Sequence, residues 1–372
     1  MVNKVKFSGI CLLLAVVTSC NQNKDDPEPE LDGQEWPVDQ EVYAVGYEKV
    51  QGNDVVRLWK NGVVQSIATE ATHGTARSVF VSGDDVYVAG YERLLKDEYN
   101  GIWQAKLWKN GKDENLTDGT FYGQAYSVFV AGNDVYVAGC EAILPYPNPP
   151  DRFTLKYWKN GNEEIFAEGN SRWQVNSIFV SDEDVYVAGC GIKPFGSIYV
   201  LQAKLWKNGI EKDLVSGTSN SCANSVFVAG GDVYIAGYDY DVAGNFSVAK
   251  LWKNEEVDNI TDGKKNAQAR SVYVSGEDVY VAGNDGSEAK LWKNGIVQDI
   301  DDDKDARIYY SVFIKDDNVY LAGYVEAIQE VEPGSGIIPY HYLQPRIWRN
   351  GKLLKLTAEK NQSAMPYSVF VK

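Results

Sequence analysis

Residues 78–90 read Ser-Val-Phe-Val-Ser-Gly-Asp-Asp-Val-Tyr-Val-Ala-Gly, and this stretch decides the fold. Residues 79–81 and 86–88 are β-branched or aromatic, whereas residues 82–85 have the composition of a turn. The stretch therefore predicts two antiparallel strands joined by a tight turn.

Three phrases recur in a fixed order along the chain, and each occurs seven times. Ser-(Val/Ile)-(Phe/Tyr)-(Val/Ile) starts at Ser78, Ser127, Ser177, Ser225, Ser271, Ser311 and Ser368. Val-Tyr-x-x-Gly has its tyrosine at Tyr43, Tyr87, Tyr136, Tyr186, Tyr234, Tyr280 and Tyr320. The third phrase contains Trp59, Trp108, Trp158, Trp206, Trp252, Trp292 and Trp348. Because a tryptophan at a fixed repeat position usually serves packing, we expect these seven to lie between neighbouring units.

The tryptophan phrase completes a four-stranded unit. In six of seven copies Asn-Gly follows it, which favours a two-residue type I′ hairpin turn into a fourth, weaker strand. Four antiparallel strands in each unit resemble the blade of a β-propeller. Neither the Gly-His and Trp-Asp signature of WD40 repeats nor the Ser-x-Asp-x-Gly-x-Thr-Trp box of sialidase-type propellers is present.

The two ends of the repeat region complement each other. It starts with the second phrase at Val42-Tyr43, and the first phrase, Ser368-Val369-Phe370-Val371, lies at its other end. Joined, the two partial copies make one blade, so that no sheet edge is left open. The sequence predicts an all-β, seven-bladed β-propeller over residues 40–372, with four antiparallel strands per blade and closure by the N- and C-terminal strands.

The N-terminus carries a targeting signal. Lys4 and Lys6 precede an apolar run over residues 10–17, which is too short to span a bilayer as a helix. Val17-Thr18-Ser19-Cys20 resembles the lipobox of bacterial lipoproteins. The resemblance implies a signal peptide over 1–19, lipidation at Cys20 and a lipid-anchored protein of the outer membrane, at the cell surface or on the periplasmic face. An ordinary cleaved signal peptide is the alternative. Residues 20–39 are polar and acidic, which predicts a flexible tether.

The formal net charge is −16. Such a surface repels phosphate backbones, so we expect no nucleic-acid partner. His73 and His341 have no cysteine or aspartate cluster at zinc spacing, and the chain has no glycine-rich phosphate loop. We expect neither a metal nor a cofactor.

The propeller topology gives the ring two unlike faces. We name the strands of a blade A to D from the centre outward. The D–A and B–C connections form one face, the loop face, and the A–B and C–D turns form the other, the turn face. Loops on a rigid scaffold are the usual place for binding sites, and the loop face contains most of the length variation. We expect the ligand site there.

The residue before each strand A varies while its neighbours repeat. These seven residues are Arg77, Tyr126, Asn176, Asn224, Arg270, Tyr310 and Tyr367. Ring symmetry places them at the mouth of the central channel, where cations, amides and phenols suit hydrogen bonding and stacking against a polar ligand such as a sugar. Further aromatic residues in the loops are Tyr99, Trp103, Tyr146, Phe153, Trp173, Phe195, Tyr199, Phe246, Tyr340 and Tyr342.

An acidic residue follows strand B in five blades: Glu48, Glu92, Glu141, Asp239 and Asp285. By symmetry these residues would form a collar that attracts a cation or an amino group, and the alternative is a solvated rim. Cys140, Cys190 and Cys222 all lie near the loop face. A Cys190–Cys222 disulfide would leave Cys140 over, and free buried cysteines are the alternative.

Three functions are consistent with this organisation. The first is a surface protein that binds a glycan or peptide, the second is a scaffold for an envelope protein, and the third is a polysaccharide lyase or glycosidase. Even repetition of the blades favours binding over catalysis, because a catalytic site needs a few singular residues.

Overall fold

The computed structural model describes residues 35–68, 73–95, 101–143, 152–169, 173–196, 198–215, 219–240, 246–254, 256–300, 305–329, 338–358 and 360–372. All of them lie in one unit, Gly33–Lys372. The predicted signal peptide, Cys20 and most of the predicted tether lie outside these ranges.

The described residues form 28 strands. In chain order they are β1 (Val42–Val50), β2 (Asn53–Lys60), β3 (Val63–Gln65), β4 (Gly74–Ser82), β5 (Asp85–Leu95), β6 (Gly101–Lys109), β7 (Lys112–Asn115), β8 (Tyr122–Ala131), β9 (Asp134–Ile143), β10 (Arg152–Lys159), β11 (Asn162–Gly169), β12 (Gln174–Ser181), β13 (Asp184–Phe195) and β14 (Ile198–Lys207). They continue with β15 (Ile210–Asp213), β16 (Ser221–Ala229), β17 (Asp232–Tyr240), β18 (Ser247–Lys253), β19 (Glu256–Asn259), β20 (Ala267–Ser275), β21 (Asp278–Asp285), β22 (Glu288–Lys293), β23 (Ile296–Gln298), β24 (Ala306–Lys315), β25 (Asn318–Ile328), β26 (His341–Arg349), β27 (Lys352–Lys355) and β28 (Ala364–Val371).

These strands make seven antiparallel sheets of four strands each. Blade 1 has the order β28-β1-β2-β3, and each later blade contains four consecutive strands, from β4–β7 in blade 2 to β24–β27 in blade 7. In blade 1, Val42 pairs with Val371 and Tyr43 with Phe370. The prediction that the two chain segments complete one blade is therefore confirmed.

Seven apolar cores close the ring, one between each pair of neighbouring blades. Each core contains one strand-C tryptophan, which packs against the preceding blade. Trp59, for example, lies among Tyr320 and Ile347 of blade 7, and its indole N–H donates to the Thr357 carbonyl. All seven tryptophans are at most 3% exposed, as the sequence predicts for residues that pack between blades.

A circle of hydrogen bonds joins the seven innermost strands. The hydroxyl of each strand-A serine accepts a hydrogen bond from a backbone N–H of the next blade, as Ser78 Oγ does from Val128. The remaining pairs are Ser127 with Ile178, Ser177 with Val226, Ser225 with Val272, Ser271 with Val312, Ser311 with Val369 and Ser368 with Val79. The distances are 3.1 to 3.4 Å, and the last pair returns to the strand that contains Ser78.

A belt of aromatic rings lies two residues further along strand A. Its members in ring order are Phe80, Phe129, Phe179, Phe227, Tyr273, Phe313 and Phe370. Neighbouring ring centres are 4.5 to 5.0 Å apart, which is within the range of favourable aromatic pairs. The angles between neighbouring ring planes, 43° to 61°, cluster around one-seventh of a turn.

Every strand A contains a β-bulge, and the bulged residue is the variable one singled out from the sequence. In blade 6, Ala269 pairs with Gly283 and Ser271 with Ala282, so Arg270 has no partner in strand B. The same shift in register leaves the equivalent residue of every other blade without a partner in strand B: Arg77, Tyr126, Asn176, Asn224, Tyr310 and Tyr367. A bulge re-aims the side chain that it releases from the ladder.

The glycine of Val-Tyr-x-x-Gly makes this bulge possible. A Cβ at Gly283 would lie 2.0 Å from the Gln268 carbonyl oxygen on strand A. Across the seven equivalent glycines the corresponding distance is 1.7 to 2.2 Å, too short for any side chain. The backbone of strand A therefore approaches strand B closely at each of these seven glycines.

The turn face is held by a repeated polar network. Asn110 (φ 52°) and Gly111 (φ 78°) both have positive φ, as a type I′ turn requires. Asn110 Oδ1 accepts from the Val86 N–H, Asn110 Nδ2 donates to Asp85, and Lys109 forms an ion pair with Asp85 at 2.8 Å. Blades 3 to 6 repeat this arrangement around Asp134, Asp184, Asp232 and Asp278.

Gly283→Ala is expected to destabilise the fold by about 1–3 kcal/mol, because the new methyl group overlaps a backbone carbonyl that cannot move without breaking the bulge. The measurement is the free energy of unfolding in urea. Gly191→Ala is the control, since its Cβ would meet side-chain atoms and no backbone: the Lys204 side chain at 3.0 Å and the Trp173 ring at 3.4 Å. Equal stability of the two variants would contradict the role of the glycine.

Stability is expected to fall in acid. Hydrogen bonds from lysines hold the pKa values of Asp85, Asp134, Asp184, Asp232 and Asp278 below the ordinary value of 3.8. The unfolded chain therefore takes up protons first, and this contribution is complete above pH 3.8 and lost as the pH falls below it.

Asp278→Asn should lower the melting temperature at pH 7 and reduce its dependence on pH below 4. Asparagine fits this position, because Asn318 is the equivalent residue in blade 7 and accepts from Asn350. Glu277→Gln in the same turn is the control. A pH profile unchanged by Asp278→Asn would show that the charge does not contribute.

Candidate functional site

The seven bulged residues meet around one cavity on the loop face, the mouth cavity, which has a volume of about 160 Å³. Its lining consists of Arg77, Tyr126, Asn176, Asn224, Arg270, Tyr310 and Tyr367, together with Gln174. The structure thus brings together all the residues that the sequence placed at the channel mouth. Gln174 could not be identified from the sequence. It lies two positions before the bulged residue, and the repeat does not show which way its side chain points.

Four of these side chains form a continuous arc on one side of the mouth cavity. The Arg77 guanidinium carbon lies 4.3 Å from the ring centre of Tyr367, which is 5.1 Å from that of Tyr310. The Arg270 guanidinium carbon lies 5.1 Å from the Tyr310 ring centre. We call Arg77, Tyr367, Tyr310 and Arg270 the arginine–tyrosine arc. Tyr126 lies beyond its Arg77 end, at 5.7 Å from the guanidinium.

Both phenols of the arc stay protonated at physiological pH. Burial is the main cause that raises the pKa of Tyr310 and of Tyr367 above the ordinary value of 10.0. Within the described ranges, neither hydroxyl has a hydrogen-bond partner. The arc therefore offers two neutral O–H donors between two cationic groups.

The two asparagines on the opposite side tie blades together. Asn176 Nδ2 donates to the Ala223 carbonyl of blade 5, and Asn224 Nδ2 donates to the Ala269 carbonyl of blade 6, both at 2.8 Å. Asn176 Oδ1 accepts from Gln174. On one side of the mouth cavity the two amides therefore join neighbouring blades. On the other side the arginine–tyrosine arc has donor groups that are free to bind a ligand.

A larger groove of about 540 Å³ adjoins the mouth cavity between blades 3 and 4. Tyr126 and Gln174 line both spaces. The remaining groove residues are Gln124, Cys140, Phe153, Trp173, Ile192, Tyr199, Leu201 and Asn220. Three of the loop aromatics expected to take part in binding, Phe153, Trp173 and Tyr199, therefore come together.

The other loop aromatics are distributed more widely. Trp103 packs edge-on against Tyr91, with ring centres 5.1 Å apart, and Phe246 and Tyr340 are exposed at their surface positions. Tyr342 lies in β26. Tyr99 and Tyr146 lie outside the described residues, as does the side chain of Phe195.

The five acidic residues expected after strand B lie inside it, because strand B extends further than its phrase, and they do not form an uncompensated collar. Glu48 pairs with Arg57 at 2.7 Å, Glu92 with Lys106 at 3.0 Å and Glu141 with Lys156 at 2.6 Å. Asp239 accepts from Ser219, and Asp285 ends β21. None of the five lines the mouth cavity. The bases come from strand C, whose register with strand B is not visible in the sequence.

The predicted disulfide between Cys190 and Cys222 is present, and it joins blade 4 to blade 5 beside the mouth cavity. Cys140 is free and buried, and burial raises its pKa to about 12, so it stays a thiol. Asn176 Nδ2 lies 3.4 Å from Cys222 Sγ. The disulfide thus supports the amide side of the mouth cavity.

Across the described ranges, no three His, Cys, Asp or Glu side chains come close enough together to hold a metal ion. The same part of the chain contains no helix of the length and hydrophobicity needed to cross a bilayer.

No family model matches the sequence, and no curated protein is significantly similar to it. Among solved structures, an acylaminoacyl peptidase of Pyrococcus horikoshii superposes with a TM-score of 0.45 at 13% identity, covering 77% of this chain and 46% of its own. Hydrazine synthase of Kuenenia stuttgartiensis (TM-score 0.42, 12% identity, 71% and 45% covered) and TolB of Acinetobacter baumannii (0.41, 10%, 70% and 61%) also match. The chain spans about half the length of the peptidase. At these TM-scores the matches carry no functional argument.

Replacing Cys190 and Cys222 together by serine should lower the free energy of unfolding by about 2–4 kcal/mol, because the disulfide closes a loop with a sequence separation of 32. Urea unfolding with and without dithiothreitol tests this. Reductant should bring the parent protein to the stability of the variant and leave the variant unchanged. A parent protein indifferent to reductant would contradict the expectation.

Proposed function

We propose that this protein is a lipid-anchored propeller of the bacterial outer membrane that binds a glycan through its loop face. The observation that supports the proposal is that the polar mouth cavity and the aromatic groove are adjacent and share lining residues. Because Tyr126 and Gln174 line both, a single extended ligand can contact both spaces.

The sizes of the two spaces favour a chain of linked units. Small-molecule pockets typically have volumes of about 300–1,000 Å³, a range that includes the groove but not the mouth cavity. The mouth cavity has room for one end group, and the groove has room for the units linked to that end group. This division suits an oligosaccharide whose end enters the mouth cavity.

The chemistry of the groove suits sugar rings. Phe153, Trp173 and Tyr199 supply flat apolar faces, and Tyr199 is 72% exposed, so it is open to a ligand. Gln124, Gln174 and Asn220 supply amides that can donate to or accept from hydroxyl groups. Apolar surfaces that hold the body of a ligand, with a few polar groups that orient it, are typical of binding pockets.

Two features support the proposed location. Val17-Thr18-Ser19-Cys20 resembles a lipobox, and a disulfide joins Cys190 and Cys222. Disulfides form and persist in oxidising compartments, which include the bacterial periplasm and the cell surface. Both features agree with export and lipidation at Cys20.

Tyr199→Ala should weaken glycan binding about two- to tenfold, because it removes an exposed aromatic face that contributes about 0.5–1.5 kcal/mol to stacking. The measurement is a glycan array with the purified protein, followed by titration calorimetry on the bound glycans. Ile210→Ala is the matched control, since Ile210 is equally exposed (75%) but follows the Asn208-Gly209 turn on the opposite face.

Three results would contradict the proposal. Binding of no glycan together with co-purification of an envelope protein would favour a scaffold. Shortening of the bound glycan would show an enzyme. Equal effects of the two substitutions would place the site elsewhere.

A further inference from the structure

We infer that the end group bound in the mouth cavity is anionic, a sugar carboxylate or sulfate held by the arginine–tyrosine arc. This inference rests on the proposed glycan function and names the class of glycan.

The two arginines of the arc differ from Arg57 and Arg307, which are paired with carboxylates. Arg57 pairs with Glu48 at 2.7 Å and Arg307 with Glu326 at 3.1 Å. For Arg77 and Arg270, no carboxylate of the described residues lies within ion-pair distance. Because Asp and Glu outnumber Lys and Arg by 52 to 36, two cations without carboxylates in one cavity mark a site that is open to an anion.

Stacking leaves the guanidinium edges available. Tyr367 contacts Arg77 and Tyr310 contacts Arg270 through the ring face, which orients each guanidinium without using its N–H groups as donors to oxygen. The Nε atom of Arg270 is buried and has no hydrogen-bond partner among the described residues. Planar N–H edges of this kind match a carboxylate or sulfate, which can accept two parallel hydrogen bonds.

The surroundings of the arc favour the binding of an anion over the binding of a cation. No carboxylate lines the mouth cavity, so a bound anion meets no like charge there. The rings of Tyr310 and Tyr367 lie between the two arginines in the arc, and their free hydroxyls are further donors. A partly buried cation without a partner costs free energy, and an anion that enters the cavity removes that cost.

The size of the mouth cavity restricts what carries the charge. A volume of about 160 Å³ lies below the roughly 300 Å³ at which typical small-molecule pockets begin, which leaves room for a single end group. The charge is therefore expected on the terminal residue of the chain, with the next residues in the groove.

The test compares oligosaccharides that end in glucuronic acid, in glucose 6-sulfate or in glucose, by titration calorimetry with the purified protein. One or both acidic ends should bind at least tenfold more tightly than the glucose end. The affinity for acidic ends should fall as salt rises from 50 to 500 mM, because the interaction is between charges. The two acidic arms separate a carboxylate site from a sulfate site.

Arg270→Gln and Arg77→Gln should each weaken the acidic ends by about ten- to a hundredfold, the effect of losing a hydrogen bond to a charged group. Their effect on the glucose end should be much smaller, because a glutamine amide still donates hydrogen bonds to a neutral hydroxyl. Arg307→Gln is the control, because Arg307 already pairs with Glu326. Melting curves of the three variants show whether each is folded.

The outcomes separate the two proposals. If neutral and acidic ends bind equally and the Arg77 and Arg270 variants have no effect, the anionic end group is wrong while the glycan function stands. If no oligosaccharide binds, the glycan function fails and the inference fails with it. Selective, salt-sensitive binding that depends on both arginines supports the inference.

Discussion

The innermost strands of a ring cannot pair with one another, and their inward-facing N–H groups must find other acceptors. In this protein seven serine hydroxyls supply them, and each comes from the adjoining blade. Each neutral hydrogen bond contributes only about 1 kcal/mol, so the apolar cores between blades dominate stability. The serine circle instead fixes the distance between blades, and with it the width of the channel.

The β-bulge connects this framework to the candidate site. One extra residue in strand A pushes a carbonyl toward strand B, where only glycine leaves space for it. The same distortion releases the bulged side chain toward the axis. Val-Tyr-x-x-Gly is therefore both a folding signal and the reason that Arg270, Tyr310 and their equivalents reach the mouth cavity. The glycine of strand B and the variable polar residue of strand A therefore act together: the glycine makes space for the bulge, and the bulge turns the polar side chain toward the axis.

Much of the architecture could be predicted from the sequence, because each structural rule is repeated seven times. The split blade, the buried tryptophans, the type I′ turns and the position of the mouth residues all follow from phrases in fixed order. The Cys190–Cys222 bridge was one of two possibilities that the sequence left open, because both cysteines lie near the loop face in adjacent blades. Repetition makes a position visible even where no single residue is informative.

The features that could not be predicted depend on register and on direction. The sequence does not show that Arg57 lies opposite Gly46, two residues from Glu48, and three residues of the expected acidic collar are instead paired with bases of strand C. Nor does it show that Asn176 and Asn224 turn toward neighbouring carbonyls while the arginines stack on tyrosines. The groove could not be predicted either, because its aromatic residues lie far apart in sequence and only the packing of blades 3 and 4 brings them together.

The bulge has one more consequence, for protein engineering. A residue that is outside the ladder contributes little to strand pairing, so its identity can change without altering the register of the sheet. The five bulged positions other than the two asparagines can therefore be varied in combination while the scaffold stays fixed. New specificities can be sought by randomising them together, while the serine circle, the glycines and the tryptophans are kept constant.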